Sequence, residues 1–229
     1  MRRLVSAPIV LACLAAVLAL GATRNRNVKP STPPASPATV QLAETRPIET
    51  TLGDGRLPSA LDEWIDMIRG AKEEVDLEHF YLSRKSGEAL DPVLAEIGKA
   101  AGRGVKVRLL LDAGMHRTYP QPADSLARLT GVSARFVDYH RLAGGVQHAK
   151  FMIVDGREAW LGSQNLDWRS LSHIHELGAR IRLPAVAEAF GDVFVAEYPG
   201  DLPQFSAPDG RAAEVARRYR ESSEVLAPL

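Results

Sequence analysis

A chain of 229 residues, 45% hydrophobic and 24% charged, holds enough material for one globular core and not comfortably for two. Its 28 basic residues balance 28 acidic ones, and neither half carries a long basic tract, so an extended electrostatic footprint for nucleic acid is absent. Cys13 is the single cysteine, which excludes an intramolecular disulfide and leaves a cysteine-free domain suited to an oxidising compartment.

Residues 1–28 read as a signal peptide or an N-terminal membrane anchor: Arg2 and Arg3 precede an apolar run from Leu4 to Ala22, and Arg24, Arg26 and Lys29 follow it. Small residues at Ala19 and Gly21 fit a cleavage site, while the length of the run nearly suffices to span a bilayer. Cys13 lies inside this run, as a small buried residue. Either way the domain is expected to be exported, secreted or periplasmic, or held at the membrane. Residues 29–43 are proline-rich and read as a linker.

The folded domain is expected over residues 44–200. The pattern predicts an amphipathic helix at 57–68 with Leu61, Trp64, Ile65 and Ile68 on one face, a strand at 74–82, and a helix at 89–101. A strand at 105–112, a helix at 123–129 and a strand at 134–139 follow. Apolar runs at 149–154 and 158–162 flank Asp155-Gly156-Arg157 and read as strand, turn, strand. A strand at 175–181 and a helix at 184–197 complete the domain, and residues 201–229 form a tail with a charged terminal helix at 211–226. Alternating strands and helices predict an α/β layered domain with a mixed central sheet flanked by helices.

The chemistry-bearing residues stand in one pattern, His148-x-Lys150-x4-Asp155-x6-Gly162-Ser163-x-Asn165. Residues two apart on an extended strand share a face, so His148 projects with Lys150, and Ser163 with Asn165 on the neighbouring strand. Unpaired His and Lys on an otherwise apolar strand are costly unless they have a task. Asp155 sits at the turn, off the polar face, and reads as structural.

This pattern resembles the signature of the phospholipase D superfamily, which cuts or exchanges phosphodiester bonds through a histidine nucleophile and needs no metal or other cofactor. The resemblance implies that His148 attacks phosphorus, that Lys150 and Asn165 hold the non-bridging phosphate oxygens, and that Ser163 adds a hydroxyl donor. It further implies that Glu176 orients the catalytic imidazole; on its residues alone Glu176 also reads as a surface glutamate opening a strand. Gly162–Leu171, Glu176–Gly178, Leu77–Leu82 and Gly104–Arg108 resemble the branch containing membrane-anchored, lysosomal phospholipase-D-like proteins, over roughly Glu44 to Tyr198. Members of that branch act as 5′-exonucleases on single-stranded nucleic acid and in phospholipid transfer, and they carry two such halves. This chain resembles the first.

One motif is present, and no second H-x-K occurs. Two readings follow: a homodimer that brings two copies of His148 together across a two-fold axis, or a half-protein that keeps a phosphate pocket without turnover. The favoured substrate is phospholipid, by hydrolysis or phosphatidyl transfer, with single-stranded nucleic acid as the alternative and membrane association expected from the N-terminal segment. Of the other histidines, His79 reads as a core or edge residue. His173 and His175 share a face but find no third ligand, so no metal site is expected; His116 and His140 fall in loops.

Overall fold

The computed structural model describes residues 38–198. The signal or anchor segment, most of the linker and the C-terminal tail therefore lie outside the described residues. In chain order the elements are β1 (Thr39–Thr45), α1 (Ala60–Gly70), β2 (Glu74–His79), β3 (Leu82–Ser83), α2 (Leu90–Gly102), β4 (Lys106–Asp112), α3 (Ala113–Thr118), α4 (Pro120–Ala127), β5 (Val132–Val137), α5 (Tyr139–Ala143), β6 (Lys150–Val154), β7 (Glu158–Gly162), β8 (Leu166–Asp167), β9 (Glu176–Arg182) and α6 (Pro184–Glu197).

Seven strands form a mixed sheet in the order β1-β9-β7-β6-β2-β4-β5, while β3 and β8 pair as a separate parallel bridge. The strands β2, β4 and β5 are parallel, linked by helical crossovers; β6, β7, β9 and β1 are successively antiparallel. Both faces of the central strands are covered, which is why β6 reads as a continuous apolar run rather than an alternating one. Val75, Leu77, Val107, Leu109, Met152 and Trp160 pack against α1, α2 and α4 on one face. Leu110, Val137, Phe151 and Ile153 meet Ala187 and Phe194 of α6 on the other. Helix α1 is capped by Ser59 and turns Trp64, Met67 and Ile68 fully inward, with Leu61 and Ile65 at the margin. Among the described residues, no helix is long and apolar enough to cross a membrane.

The sheet begins at Thr39, inside the segment read as linker: β1 has Val40 and Leu42 exposed and gains its place from pairing with β9, not from an apolar pattern of its own. The strand expected over 74–82 stops at His79, and Leu82–Ser83 instead reaches β8.

The β6–β7 turn carries Asp155 and Gly156, both at positive φ, closed by Arg157 N–H donating to the Val154 carbonyl at 3.0 Å. The Asp155 carboxylate accepts the backbone N–H groups of Lys72 (3.0 Å), Glu73 (2.7 Å) and Glu74 (3.0 Å), pinning the segment after α1 to the hairpin. Hydrogen bonds to a charged acceptor are worth about 1.5–3 kcal/mol each at most. We expect Asp155→Ala to lower unfolding free energy by about 2 kcal/mol in urea titration, with kcat/KM on a phosphodiester kept within about threefold.

Candidate active site

The direction of the strands collects their ends. His79 closes β2, Asp112 closes β4, Lys150 opens β6, Gly162 closes β7 and Glu176 opens β9, and the register sets His79 opposite Lys150 and Gly162 opposite Gly178. Asp155 lies at the far end of β6, about 20 Å away at 3.3 Å per residue.

His148 precedes β6 and is exposed, its ring edge-on to Phe80 with centroids 4.8 Å apart. Partial burial, aided by the neighbouring Lys150 charge, holds its pKa below the ordinary imidazole value, which favours the neutral, nucleophilic form. Lys150 is 8% exposed; its Nζ donates to the His148 carbonyl at 2.8 Å and lies 5.8 Å from the Phe80 ring centre. Burial lowers its pKa, against the pull of Glu176. Burial also pushes the Glu176 carboxyl up to about 7, opposed by Ser170 and Lys150. Glu176 Oε1 accepts from Ser170 Oγ at 3.4 Å; Oε2 is enclosed without a hydrogen-bond partner, and no bond joins Glu176 to the His148 ring.

The serine and asparagine differ from the expected strand pair, because β7 ends at Gly162 and the chain leaves the sheet to form β8. Ser163 Oγ accepts from Leu177 N–H at 3.3 Å and donates to the Leu177 carbonyl at 3.4 Å, so its hydroxyl is engaged with β9. Asn165 keeps Oδ1 buried and unpartnered. Glycine is required at the crossing: a Cβ on Gly178 would come within 2.1 Å of the Trp160 ring, and one on Gly162 within 2.3 Å of Gln164 Oε1.

His79 is fully buried beneath Lys150, edge-on to Trp64 at 5.4 Å, and burial followed by the Lys150 charge drives its pKa down to about 3. It is a neutral core residue with no access to a substrate. His173 meets Glu49 and Glu88, and His175 meets Glu44 at 3.3 Å, so the two rings serve different carboxylates. Among the described residues no group of three His, Cys, Asp or Glu side chains could hold a metal ion.

Three supporting residues escaped the sequence reading. Asp112 accepts Met115 N–H (3.0 Å) as the cap of α3 and Gln147 N–H (3.1 Å), fixing the backbone just before His148. The Gln147 amide donates to Glu78 Oε1, beside which lies Glu197, held in turn by the Tyr139 hydroxyl. An acidic residue ending a strand just before a helix is a capping signal for Asp112; nothing in the sequence marks Glu78 or Gln147.

The fold and the motif residues at its strand ends define the class, the α/β domain of the phospholipase D superfamily. The chain belongs to the family described as "Cardiolipin synthase, PLD-like domain", whose sequence profile matches residues 64–197. It is 35% identical over 150 residues to "Phospholipase D Y" of Dictyostelium discoideum, covering 61% of this chain and 34% of that protein. It is 32% identical over 190 residues to "5'-3' exonuclease PLD3" of Xenopus tropicalis, covering 75% of this chain and 37% of that one. The chain thus spans about a third of the length of these curated relatives. Its fold matches the crystal structure of a phospholipase D family member, Nuc, from Salmonella typhimurium, with a TM-score of 0.56 and 19% identity over 71% of this chain and 95% of that one.

Burial first, and the neighbouring Glu197 second, push the Glu78 carboxyl up to about 9 from an ordinary 4.5. A carboxyl that binds its proton more tightly when folded stabilises the fold at low pH, and that contribution is lost as pH rises from 4.5 towards about 9. We expect the melting temperature to fall across this window and the slope to flatten in Glu78→Gln, as read by thermal melts between pH 5 and 9.

Proposed function

We propose that this chain is a phospholipase D-type phosphodiesterase that works through a phosphohistidine on His148, in a site completed by a second subunit. The carrying observation is an accessible imidazole held towards its neutral form beside a buried ammonium that interacts with the enclosed Glu176 carboxyl. His148 attacks phosphorus, forming the N–P bond as the bond to the leaving oxygen breaks, and an imidazolium opposite donates the proton that oxygen needs. Water then attacks phosphorus, the N–P bond breaks, and the proton passes to the facing imidazole; an alcohol in place of water gives transfer. Lys150 balances the non-bridging oxygens and the Asn165 amide donates to them. Glu176 orients the imidazole through Oε2 once substrate is in place. Ser163 acts through the β7–β9 junction.

The proton donor is the reason for the second subunit, because His79 is enclosed. A second copy of this chain is the simplest source, with His148 in both roles across a two-fold axis. The N-terminal arginines and apolar run support an exported or membrane-held enzyme that meets phospholipid, and the similarity to an exonuclease supports single-stranded nucleic acid as the other substrate.

Chelator-treated protein is expected to hydrolyse a generic phosphodiester and to trap phosphate on His148, and His148→Ala to lose at least about a thousandfold in kcat. Co-production of tagged wild-type and His148→Ala chains is expected to reduce activity to below the wild-type fraction, because mixed dimers lack one imidazole. Activity proportional to that fraction would show a monomeric catalyst; a monomer without turnover would leave the half-protein reading.

A further inference from the structure

Aromatic residues are only 6% of the chain, yet three of them gather at the catalytic edge. Phe80 and Tyr81 follow β2, and Tyr119 lies between α3 and α4. The Phe80 and Tyr81 rings are 5.4 Å apart and those of Tyr81 and Tyr119 5.7 Å, so the run starts at the ring touching His148 and leads away from it. All three are half-buried. Every other described Phe, Tyr and Trp belongs to one of the two apolar clusters or packs against it; these three do not. Packing therefore does not account for them.

A cleft of about 760 Å³ lies between α2 and α4, its lining starting at Arg84 and Gln121, three and two residues beyond Tyr81 and Tyr119 in the chain. Tyr119 caps α4, whose Gln121 and Ser125 line that cleft with Arg84 and Arg128. Of the two acids in the wall, Asp91 is paired with Arg84 at 2.6 Å and Asp124 meets His116 Nε2 at 2.9 Å, and Arg128 Nη2 donates to Ser125 Oγ at 2.9 Å.

We propose that Phe80, Tyr81 and Tyr119 form a stacking track for the unpaired bases of a single-stranded nucleic acid whose scissile phosphate sits at His148, and that the α2–α4 cleft receives the strand beyond. This rests on the phosphodiesterase reading above and names its substrate class. Every base has a π-face, so such a track accepts sequence broadly but needs bases free of a duplex. An acyl chain would call for a continuous apolar floor, whereas the Tyr81 hydroxyl lies against Asp167 and Arg169.

The test compares oligothymidylate with an abasic oligonucleotide of equal length, in chelator, using the full chain. Base–aromatic stacking predicts kcat/KM about tenfold or more higher on the base-bearing strand. In Tyr81→Leu and Tyr119→Leu that ratio is expected to fall about tenfold, through KM, and Tyr119→Phe to retain it. Equal rates on both strands in the wild type overturn the track, whatever the variants do, while His148-dependent cleavage of either keeps the phosphodiesterase reading. Cleavage of phosphatidylcholine or phosphatidylglycerol vesicles with neither oligonucleotide cut overturns the track in favour of lipid. No His148-dependent cleavage of any of these removes both.

Discussion

The antiparallel pairing of β6 with β2 is the constraint on which the site depends. Strands β2, β4 and β5 run parallel, so their loops gather at one end of the sheet, where open α/β sheets take their ligands. Had β6 joined them in the same sense, His148 would stand at the opposite end of the sheet, beside the start of β2. The reversal sets His79 against Lys150 and delivers the start of the motif strand to the edge that carries Phe80 and Asp112. Strand β7 then returns Gly162 to that edge and β9 starts there with Glu176, so a local sequence pattern becomes a cluster drawn from five strands.

That cluster is organised around one buried cation. An ammonium taken out of water must find compensation, and Lys150 finds the His148 carbonyl, the face of Phe80 and the Glu176 carboxyl. Its charge propagates outward. Burial first and this charge second keep His79 neutral, and it behaves as an aromatic core residue against Trp64. His148 is biased the same way, towards the form that can attack phosphorus. Glu176, its pKa pushed up to about 7 by burial, reaches its full negative charge only above neutrality, and a phosphodiester anion would share Lys150 with it. Removal from solvent shifts each of these groups first, and their mutual charges adjust them second.

The sequence made legible what depends on local pattern. The alternation of strands and helices, the motif hairpin and the inward face of α1 follow from periodicity and turn residues, and the motif follows from residue types at fixed spacing. What escaped depends on register or on distant partners. Strand β1 has its large apolar side chains, Val40 and Leu42, in solvent and is held by β9, so nothing in its own composition separates it from the linker. Ser163 has the spacing of a phosphate ligand, but the register of β9 brings Leu177 to its hydroxyl. Glu78 looks like an ordinary strand acid; its proton is held by burial first and by Glu197, far along the chain, second, against the hydrogen bond from Gln147. Phe80, Tyr81 and Tyr119 meet only because β2 and β4 are neighbours.

The exposure of His148 bears on where the proposed proton donor would enter. In-line displacement at phosphorus needs the nucleophile on one side and the proton donor on the other, so a donor cannot come from behind the imidazole, where the sheet edge lies. It must arrive from the solvent side. The segment leading to His148 is open there, with Gly144, Gly145 and Val146 exposed and the chain held from beneath by Asp112 and the Glu78–Gln147 contact. Such an edge is rigid below and uncovered above, the arrangement expected where another polypeptide surface closes over a preorganised half-site. A covering chain that brings an imidazole would also exclude water from Lys150 and Glu176, strengthening each charge interaction that the proposed transition state uses.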